Sequence, residues 1–316
     1  MAYTSGGTIQ AQDYNWLTWG GNTSGTYTES VDNLAIIWGV GEGQKGYGQD
    51  VSAFSTVSAT NEVTAAQWSG FVYHLNKSLG HQSQTQLANG SNIGIVAGAT
   101  VAAFSNVSTA VTQINSTYLT HHAVGTKTTG SNLNETLSST SGLSIGTNYD
   151  VTVTFSSTDA ARYFFNAGGE LQYRVSTYSS GGSGSENSVT RIVNGIGGVN
   201  FRTTDNGGRT GSGITLNTNA TTIGYYDLTT SEQLLIRVTD TTSSYTASQA
   251  RLYVYYAGAT TRGAKGNVVR FRLNLAVANK TWDDTISMGL RHRVDIQYPS
   301  TTYLANAAGT PTPALA

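Results

Sequence analysis

The sequence contains few arrangements of residues that could carry out catalysis. Asp283 and Asp284 are the only adjacent pair of carboxylates among 18 acidic residues. A glycosidase needs two carboxylates roughly 5–10 Å apart across a cleft. Carboxylates scattered along a chain neither show nor exclude such a pair, so glycan degradation stays open as a minor alternative.

The histidines and glycines form no recognisable metal or phosphate site. His121 and His122 are adjacent, and no third ligand stands at a useful spacing. His74 and His81 could share one face of a predicted helix, as in metal sites on trimer axes, but such a pair is more often found at a surface or interface. The segment Gly39–Gly43 follows a helix-like stretch and lacks the Lys-Ser/Thr ending of a phosphate-binding loop. We therefore expect no cofactor, no metal and no enzymatic activity.

Composition favours β structure and polar loops. Only 11% of the 316 residues are charged, against about 25% in an average protein. The net charge of −1 gives no indication of nucleic acid or membrane binding, and without cysteine there are no disulfides. No secretory signal and no apolar run of about 18 residues is visible, so we expect synthesis in the cytoplasm.

The first region, residues 1–85, is expected to be a small helix-containing module. A short helix is predicted near residues 30–38, and a longer one begins after Thr64 and ends at Gly80. One face of the longer helix is apolar at helical spacing. It carries Trp68, Phe71, Val72, Leu75 and Leu79. We expect this face to contribute to a core, and the module with its tryptophan-bearing helix to dock onto another protein.

The second region, residues 86–147, is expected to be a linker with one helix near 104–118. Its apolar residues step by three and four positions, which is typical of a narrow heptad seam. They are Phe104, Val107, Val111, Ile114 and Tyr118. The seam predicts a homo-oligomer with this helix on its axis; the alternative is packing on the chain's own 64–79 helix. Segments 125–130 and 137–142 are expected to be loops.

The third region, residues 148–304, is predicted to be an antiparallel β-sandwich, jelly-roll-like or immunoglobulin-like. Several segments alternate apolar and polar residues between turn signals. These segments are 151–155, 171–175, 234–238, 269–273 and 290–296. Residues 305–316 are expected to be a flexible or docking tail. The whole chain is therefore assigned to the α+β class.

Arginines occupy the polar positions of these strands. They are Arg174, Arg237, Arg270, Arg272, Arg291 and Arg293. If the strands at 270 and 291 pair, like charges face each other, which is destabilising. Asp295, Glu232, a neighbouring subunit or an anionic glycan could compensate, and pairing with acids of the same chain is the interpretation that we favour.

Two motifs resemble structural proteins of tailed bacteriophages, especially tail-fibre and baseplate-wedge proteins of cyanophages and related marine phages. The first runs from Trp38 to Gln49, followed by a tryptophan at 68 and by His81-Gln82. The second is Ala161-Arg-Tyr-Phe-Phe-Asn-Ala-Gly-Gly-Glu-Leu171. The resemblance covers residues 35–82 and about 150–175, and it implies a component of the virion.

The second motif also has a physical interpretation. As an extended segment it places Phe164 and Phe165 on opposite faces, with a tight turn at its centre. Its distinctive residues are Arg162, Tyr163, Phe164, Phe165, Asn166, Gly168, Gly169 and Glu170. We expect a hairpin in which Glu170 pairs with Arg162, rather than a ligand-binding loop.

These observations lead to one expected function and two alternatives. We expect a structural protein of the virion tail, in a fibre or baseplate, that assembles with other virion proteins. A homotrimer is expected because tail fibres commonly have three-fold symmetry. The alternatives are an adhesin that binds host-surface glycan, to which Tyr225–Tyr226 and 253–256 could contribute aromatic rings, and a glycan-degrading tail enzyme.

Overall fold

The fold is α+β, as the sequence predicts, with a helical module followed by a β-sandwich. The computed structural model describes residues 9–87, 104–139, 147–179, 181–241, 245–277, 285–305 and 310–316. Two hydrophobic cores lie within these residues, one in the module and one between the sheets. No helix in this part of the chain is both long and apolar enough to span a membrane.

Four helices build the module. They are α1 (Ala11–Trp19), α2 (Leu34–Trp38), α3 (Ala65–His81) and α4 (Phe104–Ser116). Helix α3 begins with the expected Thr64 cap, since the Thr64 side chain accepts from the backbone of Gln67 and the Gln67 side chain accepts in return from the Thr64 backbone. Helix α1 has no side-chain cap, and sequence patterns did not predict it.

The apolar faces of α3 and α4 are buried in the same core. All five predicted face residues of α3 are buried, so this face serves the module itself and is not free to dock another protein. Val107, Val111 and Ile114 of α4 are buried beside them, and Tyr118 packs at the edge. The assignment of these residues to an oligomer axis is therefore wrong, and the intramolecular alternative holds. The side chain of Phe104 lies outside the described part.

The sandwich consists of two six-stranded antiparallel sheets in the described residues. Sheet A contains β1 (Lys127–Thr128), β2 (Leu133–Ser139), β4 (Glu170–Tyr178), β5 (Gly198–Phe201), β6 (Asn206–Arg209) and β11 (Ile286–Gln297). Sheet B contains β3 (Thr147–Thr154), β7 (Thr215–Asn219), β8 (Gln233–Thr239), β9 (Gln249–Ala257), β10 (Val268–Ala276) and β12 (Thr312–Leu315). Alternate residues point into the space between the sheets and form the larger core.

All five strands predicted from alternation are present, as β3, β4, β8, β10 and β11. In sheet A, the neighbours run in the order β1, β11, β4, β5, β6, with β2 also paired to β11. In sheet B, the order is β12, β3, β10, β9, β8, β7. Since β10 and β11 belong to different sheets, Arg270 and Arg291 do not face each other across a strand pair. That premise was wrong.

Three expected loops contain strands. Strands β1 and β2 lie in the region read as a linker, and both pair with β11. Strand β12 lies in the expected tail and pairs with β3. Strands β1 and β2 are short and rich in Ser, Thr or Lys, and β12 has only four residues, Thr-Pro-Ala-Leu. All three lie at sheet edges, where polar side chains reach solvent. Local alternation therefore carries little signal there.

Two further helices pack against the sandwich. Helix α5 (Thr158–Asn166) contains most of the second motif, so the expected hairpin with Phe164 and Phe165 on opposite faces is wrong. A Ser157 cap starts this helix, and both phenylalanines are buried in the sandwich core. Helix α6 (Gly184–Ile196) contacts strands of both sheets.

Candidate functional site at the junction of the module and the sandwich

The two sequence motifs, residues 38–49 and 161–171, contact each other where the module meets the sandwich. Residues 39–48 of the first motif form a turn-rich segment, called here the glycine loop. Helix α5 carries the second motif and lies against this loop. Backbone carbonyls of the loop accept hydrogen bonds from side chains of α5 and of the sandwich.

Arg162 is the central cation of this junction, and its side chain is fully buried. The guanidinium donates to the carbonyl of Lys45 at 3.0 Å and to the carbonyl of Val40 at 2.6 Å. It also lies 3.2 Å from the carboxylate of Asp159, one turn earlier on α5. A buried charge is tolerated only when such partners replace water, so Arg162 binds the glycine loop in one geometry.

Asn166 lies one turn after Arg162 and binds the same loop. Its side-chain amide donates to the carbonyls of Gly43, Lys45 and Gly46 at 2.9–3.2 Å. The hydroxyl of Tyr226 contacts both the Gly43 carbonyl and the Asn166 side-chain oxygen, the latter at 2.7 Å. Burial raises the pKa of Tyr226, so this hydroxyl remains a donor.

Tyr163 requires a glycine opposite its ring. Gly48 has a φ of +66°, and a Cβ on this residue would lie 2.3 Å from a ring carbon of Tyr163. The absence of a side chain at Gly48 therefore lets the loop approach α5 closely. Arg162 also lies over the Tyr163 ring, with 5.0 Å between the guanidinium carbon and the ring centroid.

The remaining residues of the second motif connect the junction to the sandwich core. Phe165 stacks on Tyr225 with ring centroids 4.3 Å apart, and Phe164 packs over Gly169 beside the Gly168 turn. Glu170 pairs with Arg202 at 2.7 Å instead of with Arg162, which corrects the expected ion pair. Tyr225 is fully buried, and with Tyr226 bound to Asn166 neither ring is an exposed adhesin contact.

Three histidines gather beside the junction. His81 at the end of α3 is fully buried, with its ring 6.0 Å from that of His121 and 4.9 Å from that of Tyr47. The His122 backbone donates to the His81 carbonyl, and the His122 ring packs edge-on against Tyr303. These histidines therefore join α3, the segment after α4 and the last described turn of the sandwich.

Burial keeps His81 and His121 neutral. Desolvation, followed by the nearby His121 and His122, lowers the pKa of His81 to about 3. Desolvation alone lowers the pKa of His121 to about 4. Among the residues that the structure describes, no group of three or more histidines and carboxylates is placed to hold a metal ion. The contacts described at this junction are hydrogen bonds and packed rings.

The arginines of the strands are only partly paired with acids. Arg272 binds Asp150 and Glu232, and Arg293 binds Asp295 at 2.8 Å, as intramolecular pairing predicts. Arg174 instead donates to the carbonyl of Val199 and to the side chain of Asn200. Within the described ranges, Arg237, Arg270 and Arg291 form no ion pair with a carboxylate.

The sequence does not predict the backbone carbonyls that accept hydrogen bonds at the junction, nor the Tyr226 hydroxyl as one of their donors. Backbone carbonyls of Val40, Gly43 and Lys45 carry no residue-type signal, and Tyr226 was considered only as a surface aromatic. The grouping of His81 with His121 depends on tertiary packing, which spacing along the chain does not show. The Asp283–Asp284 pair lies outside the described residues.

Comparison of the chain with family models, with curated proteins and with solved structures finds no match.

Proposed function

We propose that this chain is a structural component of a tailed-bacteriophage virion, a tail-fibre or baseplate protein that acts through assembly contacts. The observation that carries this proposal is the junction itself. The two segments that resemble phage tail proteins are far apart in sequence, yet Arg162 and Asn166 of one bind the backbone of the other.

The junction supports a mechanical role. Its hydrogen bonds are made to backbone carbonyls of the glycine loop, and the charge of Arg162 is buried among them. Such contacts tolerate little displacement, because a shift of the loop leaves a buried donor without an acceptor. These contacts hold the glycine loop of the module against α5 of the sandwich, which suits a part that transmits position between neighbours in a particle.

The proposed partner contacts lie mainly on the module. Large apolar side chains are exposed there in the described residues, and aromatic rings are enriched where proteins bind each other. They are Trp16, Val40, Tyr73, Leu119 and Val124. Because the α4 face is buried, contacts of the proposed homotrimer use other surfaces, and multi-angle light scattering of the purified chain measures the copy number.

The direct test is the location of the chain in particles. Purified virions of a phage that encodes it are labelled with an antibody to the chain and viewed by negative-stain microscopy. We expect label at the tail tip, fibre or baseplate at a constant number of copies. Recovery of the chain only in the soluble lysate, with none in gradient-purified particles, would contradict the proposal.

The enzymatic alternative has a separate test. Purified chain incubated with host-surface polysaccharide is expected to release no reducing ends. Release that disappears in the Asp283→Asn, Asp284→Asn variant would replace the structural role with glycan degradation. The adhesin alternative is favoured by one specific observation: Arg237, Arg270 and Arg291 form no ion pair with a carboxylate among the described residues.

A further inference from the structure

The outer face of sheet B carries an unusual set of side chains. Across the neighbouring strands β8, β9 and β10, direct cross-strand partners place basic and aromatic residues side by side. We call this set the arginine face. It consists of Arg237, Arg251, Tyr253, Tyr255, Arg270 and Arg272. The opposite side of the same strands is buried in the sandwich core.

Positive charge on this face exceeds its intramolecular compensation. Asp150 and Glu232 both bind Arg272. Arg237 and Arg251 are direct cross-strand partners, and neither forms an ion pair with a carboxylate in the described residues. Like charges placed directly opposite each other destabilise a sheet. An anionic ligand that bound between these two guanidinium groups would remove that repulsion.

The face is also pre-organised. The Tyr255 ring lies between Arg270 and Arg272, with guanidinium carbons 5.9 and 5.6 Å from its centroid. The Arg251 side chain donates to Gln249 at 2.9 Å, so its rotamer is held as well. Donors that are already fixed lose less conformational entropy when they bind a ligand.

The row through Arg237 and Arg251 continues with neutral hydrogen-bonding groups. Asn274 is the cross-strand partner of Arg251, and its amide donates to Asn148 on the next strand at 2.8 Å. Thr218 of β7 is the partner of Arg237 at the other end. With about 4.8 Å between strands, this row extends on the order of 20 Å across the sheet. Its hydrogen-bonding groups suit a linear ligand with both hydroxyls and anions.

We propose that the arginine face binds a polysaccharide that carries carboxylate groups, with Arg237 and Arg251 as its anion-binding pair. The planar fork of arginine matches a carboxylate in a bidentate geometry, and the exposed amide of Asn148 and the hydroxyl of Tyr253 supply hydrogen bonds to sugar hydroxyls. A protein partner fits less well, because the described residues of this face include no exposed large apolar side chain for an interface core. The proposal does not depend on a virion role for the chain.

The test uses the full chain and three polymers of similar size: polygalacturonate, dextran sulfate and neutral dextran. Binding is measured by biolayer interferometry at 50 and 300 mM salt. We expect polygalacturonate to bind and dextran not to bind, with weaker affinity at higher salt. Absence of polygalacturonate binding at 50 mM salt overturns the proposal, as does binding of dextran sulfate alone, which needs only charge.

The variant Arg237→Gln, Arg251→Gln should weaken polygalacturonate binding at least tenfold. Its control, Lys77→Gln with Arg262→Gln, removes the same charge elsewhere and should change affinity less than twofold. Equal losses of affinity in both variants would contradict a defined site.

A second variant is used if circular dichroism shows that Arg237→Gln, Arg251→Gln does not fold. Arg251→Lys keeps the charge but lacks the planar fork, so an unchanged affinity in this variant would overturn the bidentate assignment. Self-association of the wild type that the double variant abolishes, without polysaccharide binding, would assign the face to a second copy instead.

Discussion

The module and the sandwich bury their apolar side chains in different ways. The module has four helices of 5–17 residues in the described part of the chain, and residues 1–126 contain six carboxylates but two lysines. The sandwich has two complete sheets, and residues 127–316 contain 15 basic and 12 acidic residues. Strand alternation is a local pattern that predicts several strands of the sandwich. The module core instead joins helices that are distant in sequence, and the module meets the sandwich through tertiary contacts such as Arg162 with the glycine loop.

The largest effect is expected from charges in the module core. Val111→Asp with Ile114→Asp places two carboxylates among buried apolar residues, at a cost of several kcal/mol each, which approaches the whole stability of a domain. Four of the five tryptophans lie in residues 16–68, so their near-ultraviolet circular dichroism should collapse.

The far-ultraviolet circular dichroism of the same variant reports on the sandwich. Its β signal should persist, because both substitutions lie in the module. The control Ser105→Asp with Thr109→Asp adds the same charge on the exposed side of α4 and should leave both signals intact. Loss of tryptophan signal in the control as well would show that charge on α4, and not burial, causes the effect.

The second effect concerns the junction. Arg162→Met keeps the apolar stem but leaves the carbonyls of Val40 and Lys45 without their donor, so unfolding free energy should fall by about 3 kcal/mol. Arg209→Met is the matched change in sheet A, where a partly exposed arginine donates to the Gly195 carbonyl at 3.0 Å. For Arg209→Met we expect the unfolding free energy, measured by urea denaturation, to fall by about 1 kcal/mol. Similar losses at both positions would mean that Arg162 has no special role.

The third effect isolates the fit between Gly48 and Tyr163. Gly48→Ala and Gly43→Ala both place a side chain at a residue with positive φ, which should lower the unfolding free energy by about 1–2 kcal/mol in each variant. Only at Gly48 does the new Cβ also meet a ring, which should add about 1–3 kcal/mol, since Gly43 has open space around it. Equal melting temperatures for the two variants would contradict a tight contact at Tyr163.

The smallest effect is a difference in acid sensitivity. His81 and His121 have folded pKa values of about 3 and 4, and His292 in the sandwich core has one of about 4. The unfolded chain takes up protons near pH 6.5, well above these values. Stability is therefore full above that pH and is lost as pH falls towards 4, by up to about 1.4 kcal/mol per pH unit for each histidine.

Single substitutions distinguish the contribution of the module histidines to acid sensitivity from that of the sandwich histidine. His121→Gln and His292→Gln should each reduce the slope of unfolding free energy between pH 6.5 and 5, measured by urea titration at several pH values. Tryptophan fluorescence should respond more to the change in the module. A slope that neither substitution alters would exclude buried histidines as the cause of acid sensitivity.

The sequence predicts the long strands of the sandwich better than it predicts the helices that pack against it. Long alternating strands such as β4 and β10 were predicted correctly, because alternation is a local property of the chain. Helix α6 was missed although its signal is present: a Ser183–Glu186 capping box precedes buried residues at helical spacing. These residues are Val189, Ile192, Val193 and Ile196.

The error at α5 has a different origin. Adjacent Phe164 and Phe165 lie on opposite sides of a strand but only about 100° apart on a helix. Both are buried because α5 lies between the sandwich core and the module, so a wide arc of its surface is covered. Sequence alone does not show that arc. The polar contacts of Arg162 and Asn166 were unpredictable for the same reason, since their acceptors are backbone carbonyls some 120 positions away.

Strand β11 has a consequence for the time course of synthesis. Its Gln297 side chain donates to the carbonyl of Gly125, 172 positions earlier, and β1, β2 and β4 all pair with this strand. At about 5–20 residues per second, these strands wait roughly 5–30 s on the ribosome before their partner is synthesised. During that interval the edges that later pair with β11 are open, so the nascent chain is most vulnerable to mispairing with other chains just before β11 emerges.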